Sequence, residues 1–341
     1  MKRVAIGISL VLGALVMAMA SFLPSPAQKS SGTSMVPDNS SSLAQAPILD
    51  QGTRLNPLKI GLLHWYLADT SAYFTVGDQP YGLCFDGANI WTANFAGDNV
   101  TKVRASDGEV LGTFTVGAQP FGVTFDGANV WVSNEKGNSV TKLRASDGKN
   151  LGTFPAGTFP GWMAFDGQNL WIPNSPSSGA GTVTEMRTDG VILGSFQVGP
   201  NPIAAAFDGR NVWVTNNGAN TVTKLRASDG NVLGTFTVGY SPIGVAFDGA
   251  SIWVANRGDG TVSKLRANDG TVLGTFPVPN GGYGIAFDGT YIWVSGDLYA
   301  WVLRANDDAQ VGSLRLQSTG VAFDGAYVWM AVTNYNRVGK F

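Results

Sequence analysis

Histidine and cysteine each occur once in 341 residues, as His64 and Cys84. The lone cysteine has no intrachain partner, which excludes a disulfide framework. With one imidazole, no nucleophile–base constellation can be read from the chain. Charge is scarce as well: 13% of residues are charged and the formal net charge is −2. No basic stripe and no run of like charge exists, so nucleic acid is excluded as a partner and no electrostatic partner is suggested. A leucine ladder and a helical period are also missing, which argues against leucine-rich and helical solenoids. What the chain has in plenty is glycine (45 residues) and tryptophan (ten), the mixture of a β-rich protein with many tight turns.

The N-terminus differs from the rest. Lys2 and Arg3 precede an apolar stretch at 4–20 that ends in Ala18-Met19-Ala20. A basic start, an apolar core and small residues at alternate positions read as a secretory leader over 1–20, extending to 27 if cleavage follows Ala27. The alternative is an uncleaved anchor, because apolar Phe22-Leu23 bring the run to about bilayer-spanning length. That segment is the only membrane contact the sequence offers. Residues 21–57 are rich in Ser, Pro, Gln and Asn and read as a flexible tether.

Phe-Asp-Gly with a Trp five residues after the Asp recurs seven times, at Asp86, Asp126, Asp166, Asp208, Asp248, Asp288 and Asp324. A period near 40 residues signals a repeat architecture with one supersecondary unit per repeat. Each unit holds four short runs rich in Val, Trp, Phe or Thr, as at 244–247, 252–255, 262–266 and 272–278. Asp-Gly marks two of the turns between them, a strong hairpin signal. The expected fold is all-β: a seven-bladed β-propeller of four-stranded antiparallel blades, occupying residues 58–341 as one domain. The seventh unit lacks its fourth strand after "NRVGKF" (336–341), while an unmatched "AYFTVG" (72–77) precedes the first unit. The N-terminal strand is therefore predicted to complete the last blade against 338–341 and close the ring.

"WVTN" at 213–216, with close copies at 91–94, 131–134 and 253–256, resembles the YVTN-type propeller repeat. The stretch 72–341 is similar to the streptogramin (virginiamycin B) lyase-like and NHL-type seven-bladed propellers. That group contains metal-assisted lyases, lactonases and proteins that only bind. Its lyase branch uses a magnesium site with histidine and glutamate ligands, and this chain departs from it, since His64 precedes the first blade strand. No catalytic residue or metal ligand carries over, and no cofactor is implied. A quinone-dependent dehydrogenase would need eight blades and a different Trp motif.

Residues common to all seven blades cannot define one asymmetric site. The Phe-Asp-Gly units read as turns, with Asp bonded to nearby backbone N–H groups and Gly at positive φ. The Trp series reads as packing between blades. Cys84 fills a slot held elsewhere by Thr124 and five alanines, so a small buried residue is expected. A binding site would use the rim formed by the loops between second and third strands and the links between blades, where the repeats differ. Just before each first strand, Tyr81, Phe121, Trp162 and Tyr283 stand at the channel mouth and form either a ligand pocket or a plug. Asp98, Glu135, Arg257 and Asp297 lie on nearby loops and complete the candidate set. Arg257-Gly258-Asp259 reads as a turn, or as an adhesion tripeptide. The expectation is an exported, monomeric module that binds a protein, glycan or small molecule through this rim. The alternative is a lyase- or lactonase-like enzyme using carboxylates and a divalent metal.

Overall fold

The computed structural model describes residues 72–341. The leader and tether read at 1–57, the proposed start of the domain at 58 and His64 lie outside the described residues. Within them the chain forms seven four-stranded antiparallel sheets, the seven-bladed propeller expected from the repeats. The first blade runs Pro80–Phe85, Asn89–Asn94, Asn99–Arg104 and Val110–Thr115 from the channel outwards, and the others repeat this order. One short 3-10 turn, Thr333–Tyr335, interrupts the β pattern in the last blade. Among the described residues no helix is long and apolar enough to cross a membrane.

The last blade draws its outer strand from the start of the described chain. Ala72–Thr75 pairs antiparallel with Arg337–Lys340, placing Tyr73 opposite Gly339 and Phe74 opposite Val338. The register falls one residue short of the 338–341 read from sequence, because Phe341 lies beyond the strand.

A hydrogen-bonded unit built on Phe-Asp-Gly sets each blade. In the first, Asp86 accepts from the backbone N–H groups of Ala88 and Asn89 at 2.9 and 2.7 Å. Its other carboxylate oxygen accepts from the Trp91 indole at 2.7 Å. Gly87 takes φ +97° with open space around it, so backbone conformation rather than crowding requires glycine there. The same Asp–Trp bond recurs in all seven blades. Six of these Trp side chains are fully buried, each packed against the neighbouring sheet. Burying an indole removes roughly 150–250 Å² from water, a gross gain of roughly 4–6 kcal/mol at about 25 cal/mol per Å².

A lysine on the third strand joins five of the blades to the next. Lys102 lies over the Trp91 ring at 5.2 Å and donates to the carbonyl of Ala145, in the next blade's turn, at 2.6 Å. Lys142, Lys224, Lys264 and Lys340 donate likewise to Thr188, Ala267, Ala305 and Ala105. An outer-strand Phe covers the same turn. A Cβ on Gly148 would fall 2.1 Å from the Phe114 ring, and one on Gly108 would fall 1.7 Å from Phe74. Phe74 and Lys340 thus do for the closing seam what their counterparts do elsewhere.

Candidate functional site

A bulge in five of the seven inner strands positions the mouth. Pro80 pairs with Asn94 but Leu83 pairs with Thr92, so Tyr81 and Gly82 together oppose Ala93. Two residues against one bends the strand and re-aims a side chain. The slot occupied by Tyr81 is filled by Phe121, Ile203 and Ile243 in blades with the same bulge, and by Tyr283 in blade six, where Gly282, Tyr283 and Gly284 together oppose Ser295. Beside the glycine of the bulge the neighbouring inner strand approaches closely: a Cβ on Gly82 would sit 2.4 Å from the Phe121 carbonyl oxygen.

The third blade reverses that order. Gly161 stands in the aromatic slot and Trp162 in the glycine slot. The Trp162 indole is thereby carried back over blade two. It stacks on Phe121 at 5.1 Å and 11°, and its N–H donates to the Phe121 carbonyl at 3.2 Å. A channel cavity of about 260 Å³ touches all seven inner strands and includes Trp162 in its wall. The rest of the wall is glycine, alanine, aliphatic residues, Met163, Thr124 and Cys84. No carboxylate or amide side chain lines it. Cys84, expected to be buried, is only half-buried: it packs against the core between blades one and two, faces the channel, and burial pushes its thiol up.

A second tier of slots follows the last residue of each second strand. There the backbone repeats: the N–H groups of Phe95, Glu135, Asn217, Arg257 and Asp297 donate to Gln79, Gln119, Asn201, Ser241 and Asn280. The accepting linker residues all lie at φ between 51° and 59°. One backbone frame therefore presents different side chains in these five blades.

Seven of the eight candidates lie in these two tiers. Tyr81 touches Phe95 at 5.1 Å and Phe121 at 5.5 Å between ring centres, extending the Phe121–Trp162 stack into an aromatic shelf. Arg257 lies 4.5 Å over the Tyr283 ring and pairs with Asp297 at 3.5 Å. Burial raises the Tyr81 hydroxyl, and Glu135 and Asp297 push it further against the opposing pull of Arg257. Burial likewise raises Tyr283, reinforced by Asp297, while Arg257 opposes. Glu135 is half-buried, and that burial raises its carboxyl despite Lys136. Residues from blades one, two, five and six thus share one electrostatic environment across the mouth.

Asp98 is not brought to this group. Its carboxylate accepts from the Gln119 N–H at 2.8 Å, as the Asn138 and Asn220 side chains do from Phe159 and Ser241, so it holds a link between blades. The Arg-Gly-Asp tripeptide is split in the same manner. Arg257 turns over Tyr283, whereas Asp259 accepts from the Tyr240 N–H and the Thr261 hydroxyl. Sequence reading missed Phe95, although it follows a second-strand Asn as Glu135 and Arg257 do.

A magnesium centre of the lyase kind finds no donor set. Among the described residues no three His, Cys, Asp or Glu side chains gather closely enough to hold a metal ion. Asp297 is instead paired with Arg257 at 3.5 Å.

Fold and mouth together define a seven-bladed propeller with one asymmetric, aromatic-lined end. Solved structures with the same shape include a streptogramin B lyase, at 17% identity and TM-score 0.67, covering 79% of this chain and 96% of that one. The Kuenenia stuttgartiensis hydrazine synthase matches at 18% identity and TM-score 0.67, with the same coverage. These likenesses establish the streptogramin lyase-like propeller fold. No protein-family model and no curated protein matches the chain.

Proposed function

We propose that this protein is a binding module whose ligand sits on the aromatic mouth, and that it works outside the cytoplasm after export by its N-terminal segment. One observation carries the reading. In a chain of near-identical blades, the two tiers at the mouth keep one backbone frame and vary the side chains. Packing alone does not require that variety, since the Asp–Trp–Lys units pack the ring with nearly the same residues throughout. Half-buried rings backed by a rigid scaffold, with a few charged groups at their edge, are the usual composition of a ligand site.

The test replaces mouth side chains that hold no strand in place. Phe95→Ala and Arg257→Ala should leave the melting temperature within a few degrees of wild type. A ligand found by thermal-shift screening of saccharides, peptides and small metabolites should stabilise the wild type and lose that effect in both variants. A ligand that stabilises all three proteins equally binds elsewhere and refutes the assignment. The enzymatic alternative predicts calorimetric binding of magnesium or calcium that is weakened by Glu135→Gln.

A further inference from the structure

We infer that the ligand of this mouth is a neutral glycan chain, one sugar ring lying on the Tyr81–Phe95–Phe121 shelf with its hydroxyls reaching Glu135 and the Arg257–Asp297 pair. The inference rests on the binding role proposed above and adds the chemical class.

Charge comes first. The mouth offers two carboxylates, Glu135 and Asp297, against Arg257, already paired at 3.5 Å, and Lys136 beside Glu135. A polyanion finds no excess of cations here. A quaternary ammonium fares no better. It needs rings spaced to enclose it, whereas Tyr81, Phe95 and Phe121 touch one another, with centres 5.1–6.3 Å apart and planes inclined by 37–70°. The cluster is a contact surface of tilted rings with no gap between them for a cation.

A peptide adding as an extra strand is excluded by the backbone. Every inner strand is already flanked. Its neighbour approaches closely enough that a Cβ on Gly244 would lie 2.4 Å from the Tyr283 carbonyl oxygen, and one on Gly284 equally close to that of Thr319. No free sheet edge faces the mouth for strand addition.

What remains is a neutral ligand with flat apolar faces and a fringe of hydroxyls. A pyranose ring has this form: its axial C–H groups make an apolar face, and its equatorial hydroxyls both donate and accept. Carboxylates and a planar guanidinium bond such paired hydroxyls in bidentate fashion. Glu135, half-buried in the second tier, is placed to accept from such hydroxyls, and burial raises its carboxyl. The phenol of Tyr81 adds a further donor, whereas that of Tyr283 is engaged with Asp297.

The experiment is calorimetric titration of the purified full chain with cellohexaose, mannohexaose, chitohexaose, an oligogalacturonate and uncharged Tyr/Pro-rich hexapeptides. At least one neutral hexasaccharide should bind, and Phe95→Ala and Asp297→Asn should each weaken it by about tenfold or more, as loss of a central contact does. Unchanged melting temperatures in the two variants exclude misfolding as the cause. Binding confined to the oligogalacturonate or to the peptides overturns the glycan assignment while leaving the mouth as a binding site. Saccharide binding unaffected by either variant overturns it too. Silence in every arm overturns the glycan assignment, and the thermal-shift screen with small metabolites then decides the binding role separately.

Discussion

Asp126 shows how much one side chain carries in this protein. It accepts from two backbone N–H groups at 2.9 and 2.6 Å and from the indole of the fully buried Trp131 at 2.8 Å. Burial acts to raise its carboxyl, but the bonds from Trp131, Ala128 and Asn129 outweigh that and hold it below the usual range. Asp126→Ala would strand a buried indole N–H and open the turn, at a cost of about 2–3 kcal/mol, measurable as a lower denaturant midpoint. The pH dependence has a definite sign. A depressed carboxyl stabilises fully above its unfolded pKa, near 4, and loses that contribution as pH falls through the folded value. Wild-type stability should therefore drop below about pH 4, and Asp126→Asn should flatten the drop. From sequence the Asp was legible as a turn former. Its bond to the Trp was not, because a five-residue spacing becomes a contact only after the hairpin folds.

The seams between blades are the next scale, and they are unequal. Five carry the lysine. Between blades six and seven, Val302 replaces it and Leu314 takes the place of the covering Phe. Both changes have one cause. The last blade takes its outer strand from 72–75, so it has no hairpin turn to receive a lysine or be covered by a ring. Trp293 at this seam is accordingly only half-buried. Between blades three and four the turn is intact but Glu185 faces it, accepting from Asn169 at 2.7 Å. Inner-strand bonds compensate there: Trp162 N–H to the Ile203 carbonyl and Ala205 N–H to the Trp162 carbonyl, at 2.8 and 2.9 Å. Glu185→Lys should install the missing bond to Ala227 and raise stability by about 1–2 kcal/mol, visible in the melting temperature. Burial raises the Glu185 carboxyl, Asn169 opposes and Asp166 adds to the rise. A raised acid opposes folding once pH climbs past its unfolded value, so Glu185→Gln should stabilise at neutral pH and become neutral in effect below about pH 4. The lysine had a signal in the sequence, recurring eleven residues after the Trp in five blades. Its carbonyl partners, some forty residues further on, belong to the next blade and were not readable. Strand positions were legible to within one or two residues because turn glycines punctuate them. The mouth was legible only as the set of slots that vary, with no indication of which side chains would meet.

For the molecule as a whole, the ring is held shut by Ala72–Thr75. A chain begun at residue 58 should keep the melting temperature of the full protein. A chain begun at 78 loses the strand opposite Arg337–Lys340, the Phe74 ring over Gly108 and the stacking of Phe74 on Trp329 at 5.6 Å. Its melting temperature should fall sharply, and size-exclusion chromatography should show self-association through the bared edge. Equal behaviour of the two chains would mean that another contact closes the ring. The clasp also has a consequence for assembly. Its pairing joins segments at opposite ends of the described chain, a contact that forms late because so much loop entropy must be lost first. While it waits, "AYFTVG" has the pattern of the outer strands of the first five blades. The clasp of one molecule then fits the open seventh blade of another as well as its own. Refolding at high concentration is thus a contest between closing and exchange, and swapped pairs are the product when exchange wins.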